Sequence, residues 1–220
     1  MVRRFVLLLV LGVGIWPGVA SAQIPPTAAE LLSYRGLHAA AAKGDVDAIR
    51  RLARDENGRT PVHVAAFQGH GLAARALIEA GADPALLDNQ RYDSVTIAAV
   101  RDDVPTLLAL LAAGASAQLV TSVYNGTALI AAAHLGHDGI VRELIRASAP
   151  LDHVNNLRTA LIEAVILGNG GPRHVETVRA LVEARASTEL ADPGGVTPLQ
   201  HARSRGYQAM VTILAGRVGR

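Results

Sequence analysis

Small and apolar residues recur along this chain in a fixed order. In one unit Thr60 precedes an apolar, alanine-rich stretch that ends before Gly69, and a second apolar cluster at Leu77 and Ile78 ends before Gly81. Later units repeat the order with glycine nine residues after threonine: Thr127 and Gly136, Thr159 and Gly168, Thr197 and Gly206. From Gly81 to Gly114 and on to Ser148 the steps are 33 and 34 residues. Such an interval predicts a solenoid of stacked helical pairs.

Each unit contains start and stop signals for two helices. We expect Thr60 to cap the first helix, with Pro61 at its first position, where a missing N–H loses no hydrogen bond. Gly69 is expected to end that helix in the left-handed conformation. The spacing predicts a second helix over residues 72–80, stopped by Gly81. Because one helical pair cannot bury its apolar side alone, each unit depends on its neighbours.

Two units depart from this pattern. We number the units from a degenerate first one at positions 37–52, so that Thr60 opens the second. In the third unit Asp93 stands at the threonine position, where it still caps, and Pro105 is expected to open the second helix. Asp102 stands at the glycine position, where a left-handed backbone is costlier, so this unit is expected to form the loosest junction. In the fifth unit the extra residues 169–173 predict a protruding loop.

The repeated threonine, alanine pair, glycine and second apolar cluster resemble the ankyrin repeat. The resemblance runs from about Tyr34 to Gly216, so residues 34–216 are interpreted as one ankyrin-repeat domain. It implies an all-α solenoid of about six stacked helix-loop-helix units. A function in protein-protein interaction, without catalysis and without a cofactor, is what the family suggests.

The first 22 residues have the pattern of a cleaved secretory signal. Arg3 and Arg4 precede an apolar run to Trp16, a Pro-Gly breaker follows, and small residues end at Ala22. Cleavage is expected after Ala22, with 23–33 as a flexible leader and 217–220 as a short tail; an uncleaved anchor remains an alternative. Abundant alanine and arginine with a single lysine, Lys43, suggest a bacterium with a GC-rich genome. The periplasm is therefore the predicted location.

Charge and cysteine content narrow the possible partners. The whole chain has 21 basic and 19 acidic residues, so loss of Arg3 and Arg4 leaves 19 of each. A neutral chain argues against nucleic-acid binding, which requires clustered positive charge. The absence of cysteine means that an exported form relies on its packed core rather than on disulfides. We expect a monomer without stable membrane insertion after signal cleavage.

Histidine is the residue type that would support a catalytic or metal-binding alternative. The resemblance implies a structural role for His63, and we expect the same of His70 and His137, which recur with the repeat. His134 and His137 could together hold a metal or small ligand, or serve an enzyme, but Gly136 between them ends the helix that would align them. A third ligand at a recognisable metal spacing is absent from the sequence nearby, as are a nucleophile elbow and a phosphate loop. No metal is therefore predicted.

The family resemblance locates the candidate partner-binding residues on the concave face, at the end of each first helix and at the hairpin tips. The helix-end positions are Phe67, Gln68, Val100, Arg101, His134, Leu135, Ile166 and Leu167. The hairpin positions are Asn57, Arg59, Gln90, Tyr92, Tyr124, Asn156 and Arg158. Several are apolar where solvent is ordinarily expected, which indicates a binding surface or cover by neighbouring units. Tyrosine and arginine in this set are the expected anchors for a protein partner, in an accessory or an immunity-type role.

Overall fold

The computed structural model describes residues 53–216 without a break, together with the six single residues 36, 39, 43, 45, 47 and 48. The predicted signal sequence, leader and C-terminal tail lie outside the described residues. So does most of the degenerate first unit. The continuous stretch contains the second to sixth units.

Ten α-helices form five consecutive pairs within residues 53–216. The first helices of the pairs are α1 (Pro61–Phe67), α3 (Ser94–Val100), α5 (Ala128–Leu135), α7 (Ala160–Ile166) and α9 (Pro198–Ser204). The second helices are α2 (Gly71–Glu79), α4 (Val104–Ala112), α6 (Asp138–Arg146), α8 (Pro172–Glu183) and α10 (Gln208–Ala215). First helices pack against the first helices of neighbouring units, and second helices against second helices. The predicted solenoid of helical pairs is confirmed, and no helix in this part of the chain is long and apolar enough to cross a bilayer.

One short hairpin interrupts the helical pattern between the third and fourth units. Strands β1 (Val120–Thr121) and β2 (Gly126–Thr127) pair antiparallel, with Val120 opposite Thr127. Ser122 and Asn125 in the connecting turn both have positive φ, and Ser122 Oγ accepts hydrogen bonds from two backbone N–H groups of the turn. Residues 53–216 are thus helical with one two-stranded ribbon, which the all-α prediction did not include.

Four of the five first helices start with the predicted capping chemistry. The side chains of Asp93, Thr127, Thr159 and Thr197 each accept a hydrogen bond from the backbone N–H three residues later. Thr60 differs because its hydroxyl lies 2.7 Å from Nδ1 of His63. Residues with positive φ follow the first helices at several of the predicted positions: Gly69, Asp102, Gly136 and Gly206.

The core lies between the two helical layers and continues from unit to unit. Leucines of the second helices fill it, and Leu107, Leu110 and Leu144 are fully buried there. Alanines of the first helices, such as Ala66 and Ala99, are also fully buried and allow neighbouring helices to approach closely. Because the residues of each unit are covered by adjacent units, the array is stable only as a stack.

Polar side chains at one repeated position contact a backbone carbonyl of the preceding unit. His137 Nδ1 lies 2.9 Å from the Ala99 carbonyl of the preceding unit. His174 Nε2 and the Tyr207 hydroxyl make the equivalent contacts in the next two units, with the carbonyls of His134 and Gly168 at 3.1 and 3.0 Å. The His134 carbonyl lies in the last turn of α5, where helix carbonyls lack an intrahelical partner, whereas the Ala99 carbonyl also accepts from the Asp102 N–H.

Candidate binding groove

A cavity of about 300 Å³ opens where the hairpin turns meet the first helices of the third to fifth units. Its lining includes six of the predicted partner-binding residues: Tyr92, Tyr124, His134, Asn156, Arg158 and Leu167. We call this cavity and its lining the groove. The structure thus brings predicted hairpin-tip and helix-end residues together in one cavity, although these residues come from three different units.

Backbone hydrogen bonds between neighbouring turns hold one side of the groove. The Ser122 N–H donates to the Arg91 carbonyl at 2.7 Å, and the Asn156 N–H donates to the Tyr124 carbonyl at 3.0 Å. His63 Nε2 lies 3.0 Å from the Tyr92 carbonyl, while the Thr60 N–H donates to its Nδ1. Nε2 therefore carries the proton, and the predicted structural role of His63 is supported by both contacts.

Apolar surface lines the groove and extends past it. Tyr124 is 65% exposed although it lines the cavity, and Leu157 and Leu167 are also exposed large side chains there. Val100 and Leu135 are exposed at the ends of their helices. Exposed aromatic and aliphatic side chains around one cavity are typical of a surface that binds another molecule.

A buried carboxylate lies among the polar groups of the groove. Glu163 on α7 is only 5% exposed, and its Oε1 accepts a hydrogen bond from Asn155 Nδ2 at 3.3 Å. Arg158 Nη1 lies 3.9 Å from Oε1, and His134 Nδ1 lies 3.7 Å from Oε2. Both distances exceed that of a hydrogen bond. The groove therefore combines an apolar wall with an incompletely paired acidic group.

The remaining predicted residues lie elsewhere on the same array. Arg59 and Gln68 line a second cavity of about 520 Å³ in the second unit. The Arg59 guanidinium lies 5.6 Å from the centre of the Phe67 ring and also pairs with Asp55. Burial alone raises the pKa of Asp55, but hydrogen bonds from Arg59 and Asn57 outweigh it and leave the pKa below its usual value.

Seven predicted residues line neither cavity: Asn57, Phe67, Gln90, Val100, Arg101, Leu135 and Ile166. Phe67 and Ile166 are half-buried, and Phe67 packs against the core. The other five are exposed. Their part in binding stays a prediction.

The two histidines of the alternative prediction have different surroundings. His137 turns its Nδ1 to the Ala99 carbonyl, whereas His134 lies at the groove beside Glu163. Gly136 between them is left-handed and ends α5, as the sequence indicated. No group of three His, Cys, Asp or Glu side chains is placed to hold a metal ion among the residues described here, 53–216 and the six before them.

Sequence reasoning missed Glu163 and Asn155. A signal for Glu163 existed, because it occupies the fifth position of its unit, where earlier units have Val64, Ile97 and Ala131. Glu163 is charged where these earlier units have apolar residues, which marks a local departure from the repeat. Asn155 and Arg158, in the turn that carries the predicted hairpin positions, lie against Glu163, and the sequence pattern did not predict these contacts.

Comparison with known proteins agrees with this architecture. The family model for ankyrin repeats (three copies) matches residues 23–88 and 95–192. The ankyrin repeat protein YahD of Escherichia coli (strain K12) is 31% identical over 185 residues, covering 80% of this chain and 92% of YahD. An ankyrin repeat domain from Acinetobacter baumannii AYE superposes with a TM-score of 0.71 at 43% identity, covering 82% of this chain and 96% of that one. Another solved ankyrin repeat protein has a TM-score of 0.70 at 30% identity, with coverages of 83% and 98%.

Proposed function

The chain belongs to the ankyrin-repeat family, and from that premise we propose that it is an exported bacterial protein that binds a partner protein through the groove. Ankyrin repeats are generally protein-protein interaction modules, and ankyrin-repeat proteins are generally non-catalytic scaffolds. Two parts of the proposal go beyond this general role. They are the location of the protein in the bacterial envelope and the use of the groove between hairpin turns and first helices as its binding surface.

The groove lining is the observation that carries this proposal. Tyr124 and Leu167 are exposed beside Arg158 and the buried Glu163, so large side chains that dominate binding energy surround groups able to select a partner. Interfaces are enriched in tyrosine and arginine at their energetic centres. Exposed apolar side chains of this kind are unfavourable in water, and a bound partner would remove them from contact with water.

The rigidity of the groove is the second observation that supports this proposal. The turns that carry Tyr92, Tyr124 and Asn156 are joined by backbone hydrogen bonds, and the helices behind them share one continuous core. A surface fixed before binding loses little conformational entropy when the partner docks. The mechanism is therefore docking of complementary shapes onto a preformed face, in an accessory or an immunity-type role.

Export is proposed from the sequence of residues 1–22. A basic start, a short apolar run and a small-residue ending favour a cleaved signal and a periplasmic mature protein. Mass spectrometry of the mature N-terminus in the envelope fraction checks this part separately: a chain that begins at Gln23 is expected, and an intact Met1 in the cytoplasm would contradict it.

A pull-down from the native envelope fraction tests the binding surface. The bait is the mature protein, compared with a Tyr124→Ala variant and with a Leu72→Ala control, since Leu72 is 81% exposed on α2 and outside the groove lining. We expect a partner retained by the parent and the control but lost from Tyr124→Ala. A partner retained equally by all three would show that the groove is not the binding face.

A further inference from the structure

Two buried atoms beside the groove have no hydrogen-bond partner within the described part of the chain. They are Oε2 of Glu163 and Nε of Arg158, and both side chains line the cavity. Thr106 and Thr177 contain the other such atoms among the described residues, and both of these threonines are on second helices, away from the groove. Native proteins rarely leave buried polar groups unpaired, so a pair of them at one cavity indicates that something else completes the site.

The chemistry of the two atoms is complementary. A carboxylate oxygen only accepts hydrogen bonds, and a guanidinium N–H only donates them. The two side chains are close, with Nη1 of Arg158 3.9 Å from Oε1 of Glu163. Their formal charges therefore offset each other, and among the described residues no other carboxylate or guanidinium lines the cavity.

We propose that this cavity receives the carboxamide of an asparagine or glutamine side chain from the partner protein, an inference that rests on the proposed function. The amide N–H donates to Glu163 Oε2, and the amide oxygen accepts from Arg158 Nε. A carboxamide is neutral and offers a donor and an acceptor at one end of a short side chain. It therefore satisfies both unpaired atoms without adding charge.

Charged occupants fit less well. A lysine or arginine side chain would meet the Arg158 guanidinium, and an aspartate or glutamate would meet the Glu163 carboxylate. Burying such a charge without a full counter-charge is costly. An aliphatic occupant would leave both atoms unpaired, and an unpaired buried group discriminates strongly against such a ligand.

His134 gives access to the unpaired oxygen. Its Nδ1 lies 3.7 Å from Glu163 Oε2, its side chain is half exposed, and no other described residue forms a hydrogen bond with the ring. A rotation of this imidazole toward solvent opens Oε2 to an incoming group. Ile130 and Leu167 then supply apolar contact for the methylene part of the occupant.

The test uses a phage-displayed library of random peptides selected on the mature protein. We expect one position of the groove-binding peptides to be enriched in Asn or Gln, and replacement of that residue by Leu to weaken binding roughly tenfold. The key variant is Glu163→Gln. Because Asn155 holds the amide oxygen of the new side chain at the Oε1 position, its NH2 group occupies the place of Oε2 and turns an acceptor into a donor.

Selection on Glu163→Gln is therefore expected to change the enriched residue from Asn or Gln to Asp or Glu. The control is Glu176→Gln, whose carboxylate pairs with Arg142 on the second helices, and its enriched peptides should match those of the parent. Circular dichroism confirms that both variants fold.

The outcomes separate this inference from the proposed function. Peptides that lose binding with Tyr124→Ala but show no amide preference, or prefer Lys and Arg, overturn the carboxamide inference and leave the groove as the binding face. An amide preference unchanged by Glu163→Gln also overturns it. A selection that yields no peptide sensitive to Tyr124→Ala overturns both.

Discussion

Arg173 Nη2 donates a hydrogen bond to Asp102 Oδ2 at 2.6 Å, and the two residues are 71 positions apart. Arg173 is the second residue of α8 in the fifth unit, and Asp102 lies two residues after the end of α3 in the third, so the contact skips one unit. Arg173 Nε also lies 3.4 Å from Asp138 in the unit between. Hydrogen bonding to Asp102 raises the pKa of Arg173 above its usual value. Three consecutive units are thereby joined on one exposed edge.

This contact changes what replacement of Asp102 should do. Asp102 has φ 57°, the left-handed backbone that the sequence suggested, so glycine relieves strain there. In an Arg173→Ala background we expect Asp102→Gly to stabilise the array by about 0.5 to 1 kcal/mol. In the parent the gain should be smaller, because the variant also loses an exposed ion pair worth about 0.2 to 1 kcal/mol.

A double-mutant cycle from urea unfolding measures the difference, and high salt should reduce it. Equal effects of Asp102→Gly in both backgrounds would show that the ion pair contributes nothing to stability. A loss of stability in both would mean that the strain at Asp102 is not relieved by glycine.

Leu144 tests the continuous core. Its side chain is fully buried on α6, so Leu144→Ala should destabilise the protein by about 2 to 5 kcal/mol through lost burial and a cavity. The control Leu72→Ala removes an exposed leucine of α2 and should change stability by less than about 0.5 kcal/mol. Thermal unfolding of the three proteins gives the comparison. Equal melting temperatures would show that the core has been misplaced.

Ionisation of the buried Asp93 should make the stability of the fold depend on pH, in a direction that its pKa shift defines. Burial raises its pKa, although hydrogen bonds from Thr96 act against this. A raised pKa in the folded state means that the ionised carboxylate opposes folding at neutral pH, and that this cost falls as pH decreases through the folded-state pKa. Asp93→Asn retains a good cap without the charge and should raise the melting temperature at pH 7.

The difference between Asp93→Asn and the parent should shrink as pH falls toward the range where Asp93 is protonated. Asp93→Ala is the comparison that removes the cap, and it should cost about 1 kcal/mol. A lower melting temperature for Asp93→Asn at pH 7 would mean that the charge itself stabilises the helix start.

Ionisation of Asp192 should affect stability in the opposite direction, because here the charged form is the favoured one. Hydrogen bonds from the Val196 N–H first, and then from His201, lower its pKa below the usual value of an aspartate. A lowered carboxyl pKa contributes stability that is present above the unfolded value and is lost as pH falls through the folded value. Asp192→Asn should therefore melt below the parent at pH 7, with a difference that disappears in acid. A constant difference across this range would exclude ionisation of Asp192 as the cause.

Local chemistry explains which parts of the fold could be predicted from the sequence. Thr127, Thr159 and Asp93 cap helices because the capping hydrogen bond reaches only three residues along the chain. Gly69 and Asp102 were located by the same repeat frame, and both have left-handed backbones. Signals that act over a few residues are fully contained in one unit.

Contacts between units were not predictable in this way. The ion pair of Arg173 with Asp102 depends on how three units stack, and the burial of Glu163 depends on a turn in its own unit and on side chains from its neighbours. The ribbon at 120–127 depends on a left-handed Ser122, which has no strong sequence preference for that conformation. At the candidate site, the sequence therefore predicted six residues that line the groove but missed the buried Glu163.

Site-specific photo-crosslinking in the proposed bacterial host tests the binding face most directly. A photoreactive phenylalanine analogue replaces Tyr124 in the groove in one strain and the exposed Leu72 on α2 in another. We expect the Tyr124 position to crosslink to one protein of the envelope fraction, and the Leu72 position to give no crosslink to that protein. A crosslink from Leu72 without one from Tyr124 would contradict recognition through the groove.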